Sequence, residues 1–340
     1  MLGLDGAGMN SFAHGLPGLK VDYVHDLRTA GAVLGGRGQL GLVGYGGPHV
    51  APSPRMIHVA LEPAAGKPIF ELWHVEGPAE PLCIGNAVGT VSGQYAFAAI
   101  EIEDDSGQSL DENVEQAYRD LFLFLQQAQG FQPIRFWNYI SNITDHQDGM
   151  ERYWRFNIGR QRAFAALLQQ DRPPVATGIG CTGSRSVIYV LAARRPAEPV
   201  ENPRQISAYA YPERYGPASP RFSRASRHEG ETLFISGTAS IVGHETRHAT
   251  DFDAQMRETL TNLDLMIRLT EAGCVSDGRW AIKTYLRDSA HAVKLETALA
   301  DSLPAGTRYL HLAADICRKD LLLEIEAVRC AVAPAARSGA

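Results

Sequence analysis

The sequence lacks the features that mark secreted, metal-clustered or membrane-spanning chains. Its five cysteines, at positions 83, 181, 274, 317 and 330, are odd in number, widely scattered and nowhere spaced Cys-x-x-Cys. That excludes a disulfide framework and a zinc finger and points to a reduced, cytoplasmic setting. No apolar run reaches the roughly 18 residues that a membrane-spanning helix needs. The opening Met1-Leu-Gly-Leu-Asp-Gly-Ala-Gly-Met-Asn10 has neither a basic start nor an apolar core, so it does not read as a signal peptide. There is no basic run, and the net charge is −6. Nucleic acid and anionic membranes are poor partners for such a chain. Charged residues are 21% and apolar residues 45%, enough for real cores, and 340 residues suggest two domains at roughly 150 residues each.

What is present is a repeated pattern. Residues 95–102 are strand-like. Ser109 and Glu112 have capping-box spacing, Val114, Ala117, Leu121 and Leu125 recur at helical spacing, and Gly130 stands where the helix should stop. A strand over 135–143, a helix through roughly 150–169 and a strand over 186–193 follow. The same script returns later: a strand at 233–240, a helix striped by Met256, Leu260, Leu263 and Ile267 and ending at Gly273, a strand at 280–286, a helix at 290–301 and a hairpin over 308–327. The expected fold class is α+β, two tandem domains of β-α-β-α-β-β order with helices on one face of each sheet. The boundaries are an irregular Gly- and Pro-rich N-terminal segment over 1–75, a first, divergent domain over 76–196, a linker over 197–230 and a second domain over 231–335. A Pro-, Arg- and Tyr-rich stretch as long as 197–230 is expected to line a site.

The chemistry concentrates near the end of the chain. Strand alternation puts Glu324 and Glu326 on one face, with Leu321, Leu323 and Ile325 on the other. Such a face is ordinarily solvated. Aligning 187–193 with 321–327 sets apolar Val190 opposite Glu324, so only one copy carries the carboxyl. Held between repeats and desolvated, that carboxyl would have a raised pKa and serve as a general acid. Cys317, seven residues earlier, is either a small buried hydrophobe or a wall of the same cleft. In the second helix Tyr153, Asn157, Arg160 and Phe164 share a face, and a guanidinium directed at apolar surroundings needs an anion, from a structural ion pair or from a substrate carboxylate.

Two formal motif matches fail on context. His244-Glu-Thr-Arg-His248 has the zinc-protease spacing, but it follows a strand directly, and Thr250 or Asp251 looks like the cap of the next helix. Gly178-Ile-Gly-Cys-Thr-Gly183 is followed by a strand where a dinucleotide site needs a helix.

Residues 233–327 resemble the RidA/YjgF fold, and 80–193 look like a more divergent copy. The tandem arrangement, with Phe156-Asn-Ile-Gly-Arg160, Cys181-Thr-Gly-Ser-Arg185, Asn202-Pro-Arg-Gln205, Tyr211-Pro-Glu-Arg-Tyr-Gly216 and Ser236-Gly-Thr-Ala-Ser240, resembles the chorismatases. The resemblance implies removal of the enolpyruvyl group of chorismate with release of pyruvate. It identifies Glu324 with the family's catalytic glutamate. It matches Cys317 to a position that is Cys in hydroxybenzoate formers and Ala in the hydrolytic branch, and Gly237 to a Gly/Ala position that varies with it. Both choices imply the 3-hydroxybenzoate branch; the alternatives are a dihydroxycyclohexadiene carboxylate or 4-hydroxybenzoate. A RidA-type imine deaminase and a non-catalytic binder of aromatic acids are the readings from other classes. Deaminating relatives place an arginine two residues after a proline, whereas Pro304 and Arg308 are four apart.

Chorismate is a dicarboxylate, so Arg160 is expected to hold it by charge-assisted hydrogen bonds, with Tyr153, Tyr139, Tyr209 and Tyr215 as further contacts. The expected partner is this small molecule alone, with no metal or organic cofactor, on a monomer or a monomer that imitates a trimer. A chelator is therefore expected to leave activity unchanged, and metal analysis of the purified protein to find no stoichiometric zinc. One equivalent of metal, with activity lost on its removal, would reverse this reading of His244–His248.

Overall fold

A computed structural model of the chain describes residues 18–34, 37–104, 107–168, 172–272, 274 and 278–331. The opening ten residues and the helix stop expected at Gly273 lie outside them, as does residue 169 at the expected end of the second helix. None of the described helices is long and apolar enough to cross a membrane.

Local signals set the helices. α1 spans Leu27–Leu34, α2 Leu110–Gln127, α3 Arg152–Leu167, α4 Phe252–Glu271 and α5 Ala292–Ala300. The Ser109 N–H donates to Glu112 Oε2 at 3.0 Å, half of the predicted capping box, and Asp251 Oδ1 accepts from the Ala254 N–H at 3.0 Å. The α2 stripe of Val114, Ala117, Leu121 and Leu125 is buried.

The two predicted repeats are present. In the first, strands Tyr95–Glu103, Gln132–Ser141, Val175–Cys181 and Arg185–Ala193 alternate with α2 and α3. In the second, Thr232–Thr238, Gly278–Leu286, Arg308–Ala313 and Leu323–Ala331 alternate with α4 and α5. Each sheet arranges its copy in the order first, fourth, second, third, with only the second and third strands parallel. The 308–327 hairpin is therefore corrected. Its two strands are not partners, because Gly278–Leu286 lies between them.

The irregular N-terminal segment is also corrected. Strands Lys20–Val24, Gly38–Tyr45, Ile57–Val59 and Ile69–Val75 form a four-stranded sheet with the same order and the same single parallel pair. With α1 after its first strand, this is a further, abbreviated copy lacking the second helix, so in chain order it is the first of three copies and the predicted repeats are the second and third. Its glycines suggested loop but serve close packing: a Cβ at Gly41 would sit 2.6 Å from the Phe97 ring.

The three copies close on one another through short edge pairings. Glu62–Pro63 joins Arg308–Ala313, Asp315–Ile316 joins Val175–Cys181, and the Thr182 N–H donates to the Ala60 carbonyl at 3.2 Å. These contacts cover one edge of each sheet, that of the copy's third strand.

Helices take the outer faces, and the inner faces meet in one shared core. At its centre Lys283, 2% exposed, pairs with Glu71 and lies 3.1 Å from Glu326 Oε1. Arg135 Nη2 is 2.9 Å from Glu326 Oε2, the Trp137 indole N–H donates to Glu326 Oε1 at 2.8 Å, and the Trp73 N–H donates to Glu71 Oε1 at 2.6 Å. Hydroxyls of Tyr45, Tyr139, Tyr189 and Tyr285 complete the network. Removing one partner of such a buried pair strands the others without solvent. Lys283→Ala is expected to lower stability by about 3–5 kcal/mol in chemical denaturation. A loss within the range of an exposed pair, about 0–1 kcal/mol, would show that the network does not hold the copies together.

Candidate active site

A cavity of ≈ 330 Å³ opens where the second and third copies meet. α3 and the strand Val175–Cys181 supply one wall, and Gly237, Cys317 and Glu324 supply the other. The segment 211–224 closes it with Tyr211, Arg214, Tyr215, Phe222 and Arg224.

Glu324 is the second residue of Leu323–Ala331 and is 5% exposed. Its neighbour strand, Thr232–Thr238, breaks register between Ile235 and Thr238, at Gly237. A Cβ on Gly237 would lie 1.8 Å from Glu324 Oε1, so the missing side chain is what makes room for the carboxyl. Among the described residues nothing hydrogen-bonds that carboxyl, which leaves it to a ligand. Burial, and then the charge of Glu326, push its pKa up to about 8 against the pull of Arg135, Arg224 and Arg318. Near neutral pH it is a carboxylic acid that can give a proton.

Cys317 borders the same cavity. Burial, and then Glu324, push its thiol up to about 12, so it is a neutral wall and not a nucleophile. Tyr153 also lines the cavity, and burial raises its phenol well above the usual range.

Arg160 is 3% exposed, donates to Asn157 Oδ1 at 2.8 Å and lies with its guanidinium 5.0 Å from the Phe156 ring centroid. Among the described residues no carboxylate pairs with it. Of the two anions expected for it, the structural one is absent among the described residues. Arg224, 5% exposed, donates to the Tyr211 hydroxyl at 2.8 Å. The Arg318 guanidinium lies 4.1 Å from the Tyr215 ring centroid and donates to the His244 carbonyl at 2.9 Å. The Tyr215 hydroxyl is 3.1 Å from His244 Nδ1. Guanidinium groups backed by aromatic faces are suited to planar carboxylates.

Six predicted site residues, Glu324, Cys317, Arg160, Tyr153, Tyr215 and Gly237, thus come together. Two do not. Tyr139 is 1% exposed, its hydroxyl 2.8 Å from that of Tyr285 and 3.1 Å from that of Tyr45. Alternation along its strand points it, with Arg135 and Trp137, into the central network. Tyr209 lies on the short turn Ala208–Ala210 and faces outward, 36% exposed; Tyr211, two residues on, takes the place in the cavity. The Val190 alignment is corrected as well. Val190 packs under the helices, and Tyr189 faces the shared core as Glu324 and Glu326 do. One residue of slip exchanges the faces of a strand. Sequence reasoning missed Arg224, Arg318 and Tyr211. All three stand in segments already singled out, Tyr211 and Arg224 in 197–230 and Arg318 in 308–327, but no pattern picked out the individual residues. His244 and His248 sit on a small hairpin and just after it, not within a helix, and His248 has φ 58°. Among the described residues no group of three or more His, Cys, Asp or Glu is placed to hold a metal.

The raised acid predicts a stability signature. Between its ordinary value of 4.5 and about 8, the native state keeps a proton on Glu324 that the unfolded chain releases. The native state then binds more protons, so stability falls as pH rises through this window, and the loss is complete above it. Glu324→Gln is expected to melt higher than the parent above about pH 8 and alongside it below about pH 4.5. Melting curves that stay parallel across this range would mean that Glu324 is not protonated in the native cavity.

The chain is similar to several known proteins. Residues 71–192 match the family model described as chorismatase FkbO/Hyg5-like, N-terminal. A 3-hydroxybenzoate synthase of Streptomyces hygroscopicus is 34% identical over 86% of this chain and 92% of its own length. A chorismatase of Streptomyces rapamycinicus is 33% identical over 76% of this chain and 81% of its own length. A chorismatase crystal structure, 27% identical, covers 93% of this chain and 99% of its own with a TM-score of 0.81.

Proposed function

The chain belongs to the chorismatase family, and on that premise we propose that it removes the enolpyruvyl group of chorismate to give pyruvate and 3-hydroxybenzoate. The observation that carries the reading is the meeting, in one cavity, of the protonated carboxyl of Glu324 and the buried guanidinium of Arg160, neither of which has an oppositely charged or hydrogen-bonding acid–base partner among the described residues. A dicarboxylate enol ether supplies what both lack.

Arg160 takes one carboxylate by charge-assisted hydrogen bonds, and the arginines at 224 and 318 favour the other. Glu324 gives its proton to the enol ether as the bond between the ring carbon and the ether oxygen breaks. The ring's own 4-hydroxyl attacks the carbon that the ether oxygen leaves. The bond from that oxygen to the 4-carbon then breaks, and loss of the hydrogen on the 3-carbon gives the aromatic acid and returns a proton to Glu324. Atoms balance without water: one chorismate gives one pyruvate and one 3-hydroxybenzoate. Cys317, a neutral side chain larger than alanine, narrows the space in which water could compete with the internal hydroxyl.

Incubation with chorismate, followed by chromatography of the ring product and assay of pyruvate, is expected to give the two products in equal amounts. Release of the dihydroxycyclohexadiene acid by the parent would assign the hydrolytic branch instead. Cys317→Ala is expected to keep pyruvate release and shift the ring product toward that acid. An unchanged partition would leave Cys317 as packing only. Arg160→Ala is expected to raise KM by roughly one to two decades with little change in Tm. Earlier melting with a normal KM would assign Arg160 to structure.

A further inference from the structure

Glu326 lies two residues beyond Glu324 on the same face of one strand, so the two positions are about 7 Å apart along it. Their surroundings differ. Glu324 faces the cavity with no hydrogen-bond partner among the described residues. Glu326 is 2% exposed and fully engaged, by Arg135 Nη2 at 2.9 Å, Lys283 Nζ at 3.1 Å and the Trp137 N–H at 2.8 Å. Arg135 also donates to Thr177 Oγ1 at 2.5 Å, and that oxygen accepts the Gly237 N–H at 3.1 Å. The central network is thereby tied to the backbone against which Glu324 rests.

We infer that Glu326 is a positioning residue for the reaction: its fixed carboxylate keeps the neighbouring Glu324 protonated and ready to donate. The inference rests on the reading of Glu324 as the proton donor. Lys283 and Arg135 hold Glu326 ionised in spite of its burial. Its negative charge opposes a second one nearby, and the low-dielectric surroundings strengthen that opposition. The other charges acting on Glu324 are Arg135 from the adjacent copy, Arg224 from the closing segment and Arg318 from the turn before its strand, all of which favour ionisation. Burial and Glu326 stand against three guanidiniums, two of which, Arg224 and Arg318, line the cavity and carry charge that a dicarboxylate needs. Without Glu326 the arginines that bind such a substrate would drain the acid of its proton. A purely structural role for Glu326 predicts altered melting and no change in the titration of Glu324.

The test follows the pH dependence of kcat/KM for pyruvate release together with the infrared C=O stretch of the protonated carboxyl. That band is assigned to Glu324 by its loss in Glu324→Gln. In the parent, activity is expected to fall on the alkaline side as the band disappears. In Glu326→Gln both are expected to move down by roughly one pH unit or more, while Glu326→Asp, which keeps the charge, stays near the parent. Arg135→Gln, which removes a cation acting on Glu324 directly, is expected to move both upward, and if Glu326→Gln does not fold, the double variant Arg135→Gln/Glu326→Gln is read against Arg135→Gln alone and is expected to titrate lower. Titration unmoved in folded Glu326→Gln, or equal in the double variant and in Arg135→Gln, overturns the inference. An alkaline limb in the parent that does not track the Glu324 band overturns the reading of Glu324 itself, which is a separate outcome.

Discussion

The fold turns on the ion-pair network in which Lys283 stands between Glu71 and Glu326, with Arg135 on the far side of Glu326. These four residues come from three different copies. Charges so deeply buried are expensive to desolvate, and apolar replacements can match them for stability. What the network supplies is definition. Each strand must present a particular residue to the centre, and a one-residue slip would deliver it to the helix layer instead. The aromatic rings that surround the charges, Trp73, Trp137, Tyr139, Tyr189 and Tyr285, are all buried and give the network both bulk and donors.

Three copies create three junctions, but chemistry is invested in one. At the junction of the second and third copies a strand irregularity places Gly237 against Glu324, and a third segment, 211–224, closes over the opening. The first copy is shortened and lends Glu71 to the centre in place of a cavity acid. The two glutamates of one strand face divide the labour: Glu326 completes the network, and Glu324 is left uncompensated. The network and the uncompensated acid thus occupy alternate positions of a single strand.

Much of this was legible in the sequence. Capping residues Ser109 and Asp251, the helical stripes and the repeated element order all rest on local periodicity, and local periodicity survives in the fold. The identity of Glu324, Cys317 and Gly237 as neighbours came from the resemblance to chorismatases. What escaped depends on non-local pairing. The first copy has short strands and many glycines, so its pattern falls below what periodicity can detect, although its pairing is the same as in the other two. The supposed hairpin at 308–327 failed because another strand inserts between its arms. Tyr139 and Tyr209 were chosen by residue type. Only the facing of one strand and the turn of one short segment decide that the first is core and the second is surface. Arg224 has no sequence signature, because its partners Ile206 and Tyr211 reach it through the folding of an irregular segment.

The account stands on Glu324 as the proton donor of the cleft. The most direct measurement is pyruvate release from chorismate by Glu324→Gln, beside the equilibrium binding of chorismate to the same preparation. Glutamine keeps the shape and removes the acid. The expected result is a turnover lower by about two to four decades with substrate still bound. Turnover close to that of the parent would contradict the account, whatever the binding.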